Sequence, residues 1–413
     1  MLAAFRSAWP LFVGILLLMV GNGLLVTALT LRGSALGFGE TAIGLMQAAY
    51  PAGSIVGCLV APRLVAGVGH VRVFAALASL ASTASLLHLL TADPWSWSAF
   101  RALSGFCFAG LYVVAESWLN GRAENAIRGS LLSVYFVSQT GGSALGQLLL
   151  MLAPPDGLLA FLLVSLLLSV ALVPVMLTSS AAPTYAVPER LTLSALYRIS
   201  PMGLTGALLN GAAQGAVYIS LALYGDAVGL EPGAVGLLVG AAVVGGVVLQ
   251  FPLGRLSDHV DRRLVIAVVA GLAVPLCLAL AADAAPAPAM LYAGVGLLGG
   301  LTLPIYSLAV AHTNDQLTPG QLVPASGALV LALGCGIVVG PILGALAIQA
   351  MGPAGVFHVI GAIQGLTALV AIVRIWRGSA RPISPVAAVP LAPGTTAEAA
   401  RLHPGADPGL RDP

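Results

Sequence analysis

Apolar residues run along this chain in long, closely spaced stretches separated by short polar breaks. A bilayer-spanning helix needs about 20 mostly apolar residues. Twelve stretches qualify: residues 9–31, 41–61, 71–91, 97–119, 129–152, 157–178, 200–223, 232–252, 263–282, 287–311, 324–349 and 354–374. Barrel strands would instead alternate over about 10 residues at a time. The pattern predicts an all-α polytopic membrane protein of twelve transmembrane helices. The first run is too long for a cleaved signal peptide, contains Pro10 and lacks a convincing small-residue cleavage site, so it reads as a retained helix.

Two features divide the helices into six plus six. The longest internal break, Thr178 to Ser200, holds Pro183, Pro188, Glu189, Arg190 and Arg198 and reads as a cytoplasmic linker. The halves also echo each other. A shift of 194 residues lays Gly105 on Gly299, Tyr112 on Tyr306, Asn120 on Asn314 and Gly146 on Gly340, and Asn22-Gly23 answers Asn210-Gly211. Such internal repeats build many transporters. The expected organisation is two pseudo-symmetric six-helix bundles, residues 1–178 and 200–377, joined by a linker at 179–199. A Pro-, Ala- and Gly-rich tail at 378–413 is expected to be disordered and cytoplasmic.

Composition narrows the function classes. Hydrophobic residues are 59% and charged residues 8%; with Gly counted and Tyr left out the apolar share is about 69%, whereas soluble domains on that scale sit at about 45–50% apolar and about 25% charged. A soluble core cannot absorb that much apolar surface. The net charge of +2, with no basic patch, argues against nucleic-acid binding. All 17 basic residues are Arg. With the N-terminus inside, 15 of them are cytoplasmic; only Arg32 falls in an external loop and Arg101 within the fourth helix. Both termini are therefore expected in the cytoplasm. Cys58, Cys107, Cys277 and Cys335 lie far apart in apolar runs and form no metal or redox spacing.

The most specific motif joins the eighth and ninth helices: Gly254-Arg255-Leu256-Ser257-Asp258-His259-Val260-Asp261-Arg262-Arg263. It resembles the G-x-x-x-D-x-x-G-R-R loop signature of the major facilitator superfamily, with Asp261 in the second Gly position. Gly254 would let two helices approach closely. Asp258 would accept from a helix N-terminus and pair with Arg262 or Arg263, closing a cytoplasmic latch as the halves rock. An ordinary charged positive-inside loop is the alternative. The equivalent first-half stretch, Gly57 to Arg72, lacks the Asp. Further stretches, Arg101-Ala-Leu-Ser-Gly105, Glu116-Ser117-Trp118-Leu119-Asn120, Arg128-Gly129, Gly69-His70-Val71-Arg72, Pro304-Ile305-Tyr306-Ser307 and His312-Thr313-Asn314-Asp315, look like the YcaD-like branch of that superfamily. The resemblance implies the superfamily fold, transport by a gradient or by facilitation, and a bacterial inner-membrane location. It implies no particular ligand.

In that fold the first, fourth, seventh and tenth helices line a midplane cavity. Their mid-span polar residues are Asn22, Tyr112, Asn210, Gln214 and Tyr306, with Asn210 and Gln214 on one helix face at i and i+4. Gln47 and Tyr50 in the second helix and Gln139 in the fifth are candidates to join them. Each could instead be an interhelical hydrogen bond. Arg101 is either a cavity residue or an anchor that snorkels or pairs with Asp93. Glu116 and Arg128 read as an ion pair ordering the cytoplasmic gate, or Glu116 as a proton-titrating site. His312 and Asp315 close the tenth helix at the matching place, and His88 reads as a packing residue.

No acid is expected mid-membrane, so small neutral, zwitterionic or anionic solutes fit better than cations. There is no G-x-x-x-x-G-K-[ST] nucleotide loop, and no metal, cofactor or nucleophile constellation. The leading expectation is a monomeric secondary transporter of a small organic solute working by alternating access. Proton coupling stays open, and efflux is favoured over uptake. The alternative is a non-transporting sensor or scaffold on the same fold; an intramembrane enzyme ranks last.

Overall fold

The computed structural model describes residues 2–120, 128–152, 158–177, 191–282, 287–317 and 321–378. The tail expected to be disordered, and Arg128's side chain, lie outside the described residues. All the regular structure among them is helical. The first half comprises α1 (Leu2–Ala35), α2 (Glu40–Val68), α3 (His70–Leu87), α4 (Pro94–Asn120) and α5 (Arg128–Leu148), followed by α6 (Leu159–Val170) and α7 (Leu172–Met176), two parts of one span. A short helix, α8 (Leu193–Ile199), lies within the linker stretch. The second half comprises α9 (Pro201–Gly215), a π-turn at Ala216–Ser220 and α10 (Leu221–Ala227), then α11 (Pro232–Ser257), α12 (Arg262–Ala282), α13 (Pro288–Thr302), α14 (Ile305–Asn314), α15 (Leu322–Met351) and α16 (Gly355–Arg377).

Eleven of these spans are long and apolar enough to cross a membrane. The twelfth expected span, α5, is a helix too, but a more polar one. Ser138, Gln139, Thr140, Ser143 and Gln147 interrupt its apolar run, and Gln139 and Gln147 are buried against the rest of the protein rather than turned to lipid. Its polarity is the cost of facing inward.

The repeat seen in the sequence is a repeat of packing. In membranes helices associate by close backbone approach at small residues. Gly105 of α4 lies against the Tyr50 carbonyl of α2, and its counterpart Gly299 of α13 against the Ala242 carbonyl of α11. Gly146 of α5 abuts Val20 and Gly23 of α1, and its counterpart Gly340 of α15 abuts Ala212 and Gly215 of α9. The same helix pairs therefore form the seams of both bundles.

Turns match as well. Gly37 ends α1 and Gly229 ends α10 with φ of 80° and 77°, a left-handed conformation that favours glycine. Asp93 caps α4, accepting from the Ser96 backbone N–H at 2.7 Å, and Thr192 caps α8, accepting from Ala195 N–H at 3.3 Å. The tenth span breaks between α13 and α14 because Pro304 has no N–H to donate.

Candidate functional site

A cavity of about 340 Å³ is lined by both bundles. The first contributes Asn22 from α1, Gln47 and Tyr50 from α2, Arg101 and Tyr112 from α4, and Gln139 and Thr140 from α5. Arg101 and Tyr112 are eleven residues, three turns, apart on one helix and so share a face. The second bundle adds Gln214, Tyr218 and an apolar wall from α15 that includes Leu331 and Ile337. The lining reaches Leu59 and Pro62, late in α2, and Leu191 just ahead of α8. The cavity thus extends toward the α8 end of the molecule. At the opposite end the bundles are tied. Ser34 of α1 donates to the Asp226 carboxylate of α10, and Thr41 of α2 donates to Gln349 of α15 at 2.8 Å.

Arg101 is neither a snorkelling anchor nor a partner of Asp93, which is occupied in capping α4. Its side chain is 1% exposed. The guanidinium lies 4.4 Å from the centroid of the Tyr50 ring, a cation–π contact. Its Nε and Nη1 are buried with no hydrogen-bond partner among the described residues. The Tyr50 phenol lies beside Tyr112 and Asn22. Five acceptors around the cavity are buried without a partner among the described residues: Asn22 Oδ1, Gln47 Oε1, Gln139 Oε1, Thr140 Oγ1 and Gln214 Oε1. The amide nitrogen of Gln47 is committed, donating to the Val26 carbonyl and the Thr30 hydroxyl at 2.8 Å each.

Asn210 and Tyr306, expected in the cavity, do not line it. With its amide turned to suit its neighbours, Asn210 donates to the Thr302 carbonyl at 2.8 Å and accepts from the Tyr306 backbone N–H at 3.2 Å. It also accepts from Gln214 Nε2 at 2.8 Å. The side chain therefore bridges the backbone groups parted by the break at Pro304, which lipid could not satisfy. Thr140 and Tyr218 were not anticipated. Thr140 belongs to the polar stretch of α5 that also holds Gln139; Tyr218 gave no signal, because the π-turn that carries it was not legible.

Glu116 lies near the end of α4, as expected, and is fully buried. Tyr135 donates to its Oε1 at 2.9 Å, and Gln139 Nε2 donates to the Tyr135 hydroxyl at 2.8 Å. A hydrogen-bonded chain thus runs from this acid to the cavity wall. The proposed pairing of Glu116 with Arg128 lies outside the described residues. His88 packs among Trp97, Phe100 and Phe161, with Nδ1 2.8 Å from the Ala84 carbonyl.

The charged loop forms ion pairs within the second bundle. Arg262 bonds Asp315 at 2.7 Å and Asp258 at 3.2 Å, tying α11, α12 and the end of α14. Arg263 pairs with Asp261 at 2.7 Å and donates to the Arg374 carbonyl. His312 Nε2 sits 2.8 Å from Gln316, which also reaches Ser200. Gly254 plays no close-packing part here: a Cβ would meet open space, and α11 makes its close approach to α13 earlier, at Gly245. Burial, outweighing Arg262, raises the Asp315 carboxyl above its ordinary range. The hydrogen bonds from Arg263 hold Asp261 below it, and those from Ser96 do the same for Asp93.

A family profile described as Major Facilitator Superfamily matches residues 203–401, and one described as Sugar (and other) transporter matches residues 30–192. An uncharacterized MFS-type transporter of Enterobacter sp. (strain 638) is 28% identical over 347 residues, 83% of this chain and 89% of that protein. The uncharacterized MFS-type transporter YcaD of Escherichia fergusonii is 27% identical over 384 residues, 92% and 99% of the two chains. Among solved structures, the nucleoside transporter NupG superposes with a TM-score of 0.74 at 12% identity, over 89% of this chain and 98% of that one. The human organic anion transporter MFSD10 gives 0.64 at 14% identity, over 89% and 99%. Both share the fold of this chain. Its helices, its repeat and these relatives agree: the chain belongs to the major facilitator superfamily of multi-pass membrane transporters and resembles its YcaD-like branch.

Proposed function

We propose that this protein is a secondary transporter that carries a small organic solute across the bacterial inner membrane by alternating access. The observation that carries the reading is the cavity itself. It is lined by both bundles, it holds buried polar groups with no partner among the described residues, and it extends toward one end while the other is tied across the bundles. A packed structural core would satisfy those groups internally. Rocking of two bundles, residues 1–178 and 200–377, about this site would expose it to each side in turn.

The α8 end faces the cytoplasm in this reading, with both termini inside, because 15 of 17 Arg fall on that side. The conformation described is then inward-open. Transport is coupled to protons, with Glu116 as the titrating group and Tyr135 and Gln139 as its path to the cavity. Export is the direction we adopt, on the general frequency of efflux among such transporters, and the working unit is a monomer.

A thermal-shift screen of purified protein against metabolites, at two pH values, tests the reading. A ligand of one conformation raises the apparent Tm by mass action. Each hit is then assayed for flux in proteoliposomes. Saturable flux of a hit supports the proposal; ligands that bind without any flux contradict it.

A further inference from the structure

We propose that Arg101 forms an anion subsite in this cavity, and that the solute recognised there is a small organic monocarboxylate bearing its own hydroxyl or amine donors. The inference deepens the transport reading and rests on it for the solute's role as cargo.

A guanidinium stays charged and offers five donors. Burying one in a membrane protein is expensive, and such residues normally find an acid or a cluster of carbonyls. Arg101 has neither. Among the described residues no carboxylate acts on it and no acidic side chain lines the cavity. The Tyr50 ring covers a face of the guanidinium and leaves Nε and Nη1 unused. A buried cation with idle donors beside an open cavity is a site for an anion.

The rest of the lining sets the class. Among the described residues no second basic side chain joins Arg101 in the cavity wall, so the site balances one negative charge. That suits a carboxylate better than a phosphate ester, which carries between one and two charges near neutral pH. The idle acceptors on Asn22, Gln47, Gln139 and Gln214 ask for N–H or O–H groups on the same solute. Inorganic anions lack those donors and cannot use the apolar walls formed by Met19, Ile55, Leu331 and Ile337. A solute with a carboxylate at one end, a donor-bearing body and a modest apolar surface meets all three demands.

The test compares matched pairs. Purified full-length protein is titrated by thermal shift with hydroxy- and amino-carboxylates of aliphatic and aromatic bodies, including 3-phenyllactate, 4-hydroxyphenylacetate and phenylalanine. Each is run against its primary amide. The proposal expects acids to bind and their amides to bind roughly ten- to hundredfold more weakly, the range for a lost charged hydrogen bond. In Arg101→Gln that preference disappears, and Arg101→Lys, which keeps the charge, retains part of it. A panel in which no acid binds, or in which amides bind as well as acids, overturns the subsite. So does an acid preference that survives in folded Arg101→Gln. Failure of the transport reading looks different: acids bind through Arg101 yet none crosses the membrane in proteoliposomes. Flux of a neutral solute, unaffected by Arg101→Gln, keeps the transporter and removes the subsite.

Discussion

Asn210 of α9 spans the broken turn that leads into Tyr306, giving its amide N–H to the Thr302 carbonyl and its oxygen to the Tyr306 N–H. One side chain from a neighbouring helix thus does the work of a missing helical turn. The role is structural, and it predicts a structural phenotype. Asn210→Ala leaves two backbone groups unsatisfied inside the bundle and should cost about 1–3 kcal/mol. The purified variant melts lower, while ligand affinity of its folded fraction falls only as far as the release of the Gln214 amide from Asn210 allows, about a few-fold. Gln139→Ala, which alters the cavity wall instead, weakens binding more than it lowers Tm.

The glycine seams predict a contrast along one chain. At Gly105 a side chain would run into the Tyr50 backbone, and at Gly299 into that of Ala242. Gly105→Val and Gly299→Val should each destabilise by about 1–3 kcal/mol or more, as overpacking does. Gly254→Ala meets open space and stays within about 0.5 kcal/mol of wild type. Melting curves of the three variants in detergent decide it.

That contrast also marks how far the sequence could be read. Spans and the bundle repeat were legible because hydropathy and small-residue spacing are local signals, and Gly105 and Gly299 carry the same seam in both halves. The cavity was legible where a polar residue interrupts an apolar helix, as at Asn22, Gln47, Tyr112, Gln139 and Gln214. It was not legible where the same signature has another cause. Asn210 is polar because Pro304 breaks the helix beside it, and Tyr306 is packed at that break. Glu116 sits near the end of α4, yet lies fully buried because α5 lays Tyr135 against it, a fact of tertiary packing.

Acidic pH should act on the charged loop in two opposing ways. Asp261, whose carboxyl is held low by Arg263, stabilises this state above the ordinary carboxylate range, and that contribution is lost as pH falls through its lowered pKa. Asp315, whose carboxyl is raised by burial, binds a proton more readily here than when solvated. Its contribution therefore favours this state below the ordinary carboxylate range and is lost as pH rises through its raised pKa. On acidification, wild type loses stability relative to Asp261→Asn and gains it relative to Asp315→Asn. Tm measured against pH for the three proteins gives the two signs.

Asp258 has its Arg262 pair inside the second bundle in this state. If the loop is a latch that re-forms between bundles in the opposite state, Asp258→Asn slows exchange between states while leaving ligand affinity within a few-fold. Flux measured beside binding separates the two. Unchanged flux in Asp258→Asn assigns the loop to positive-inside topology alone.

Rocking of the bundles about a shared cavity is the central claim, and locking one end tests it most directly. Ser34 and Asp226 tie the bundles at the end away from α8. Replacing both with Cys, in a background whose native Cys58, Cys107, Cys277 and Cys335 are Ser or Ala, allows that end to be sealed by oxidation. The measurement is flux of a thermal-shift hit in proteoliposomes before oxidation, after it, and after reduction. The account predicts that oxidation stops flux, leaves ligand binding from the α8 side intact, and is reversed by reductant. Flux that continues through the cross-linked protein would contradict it.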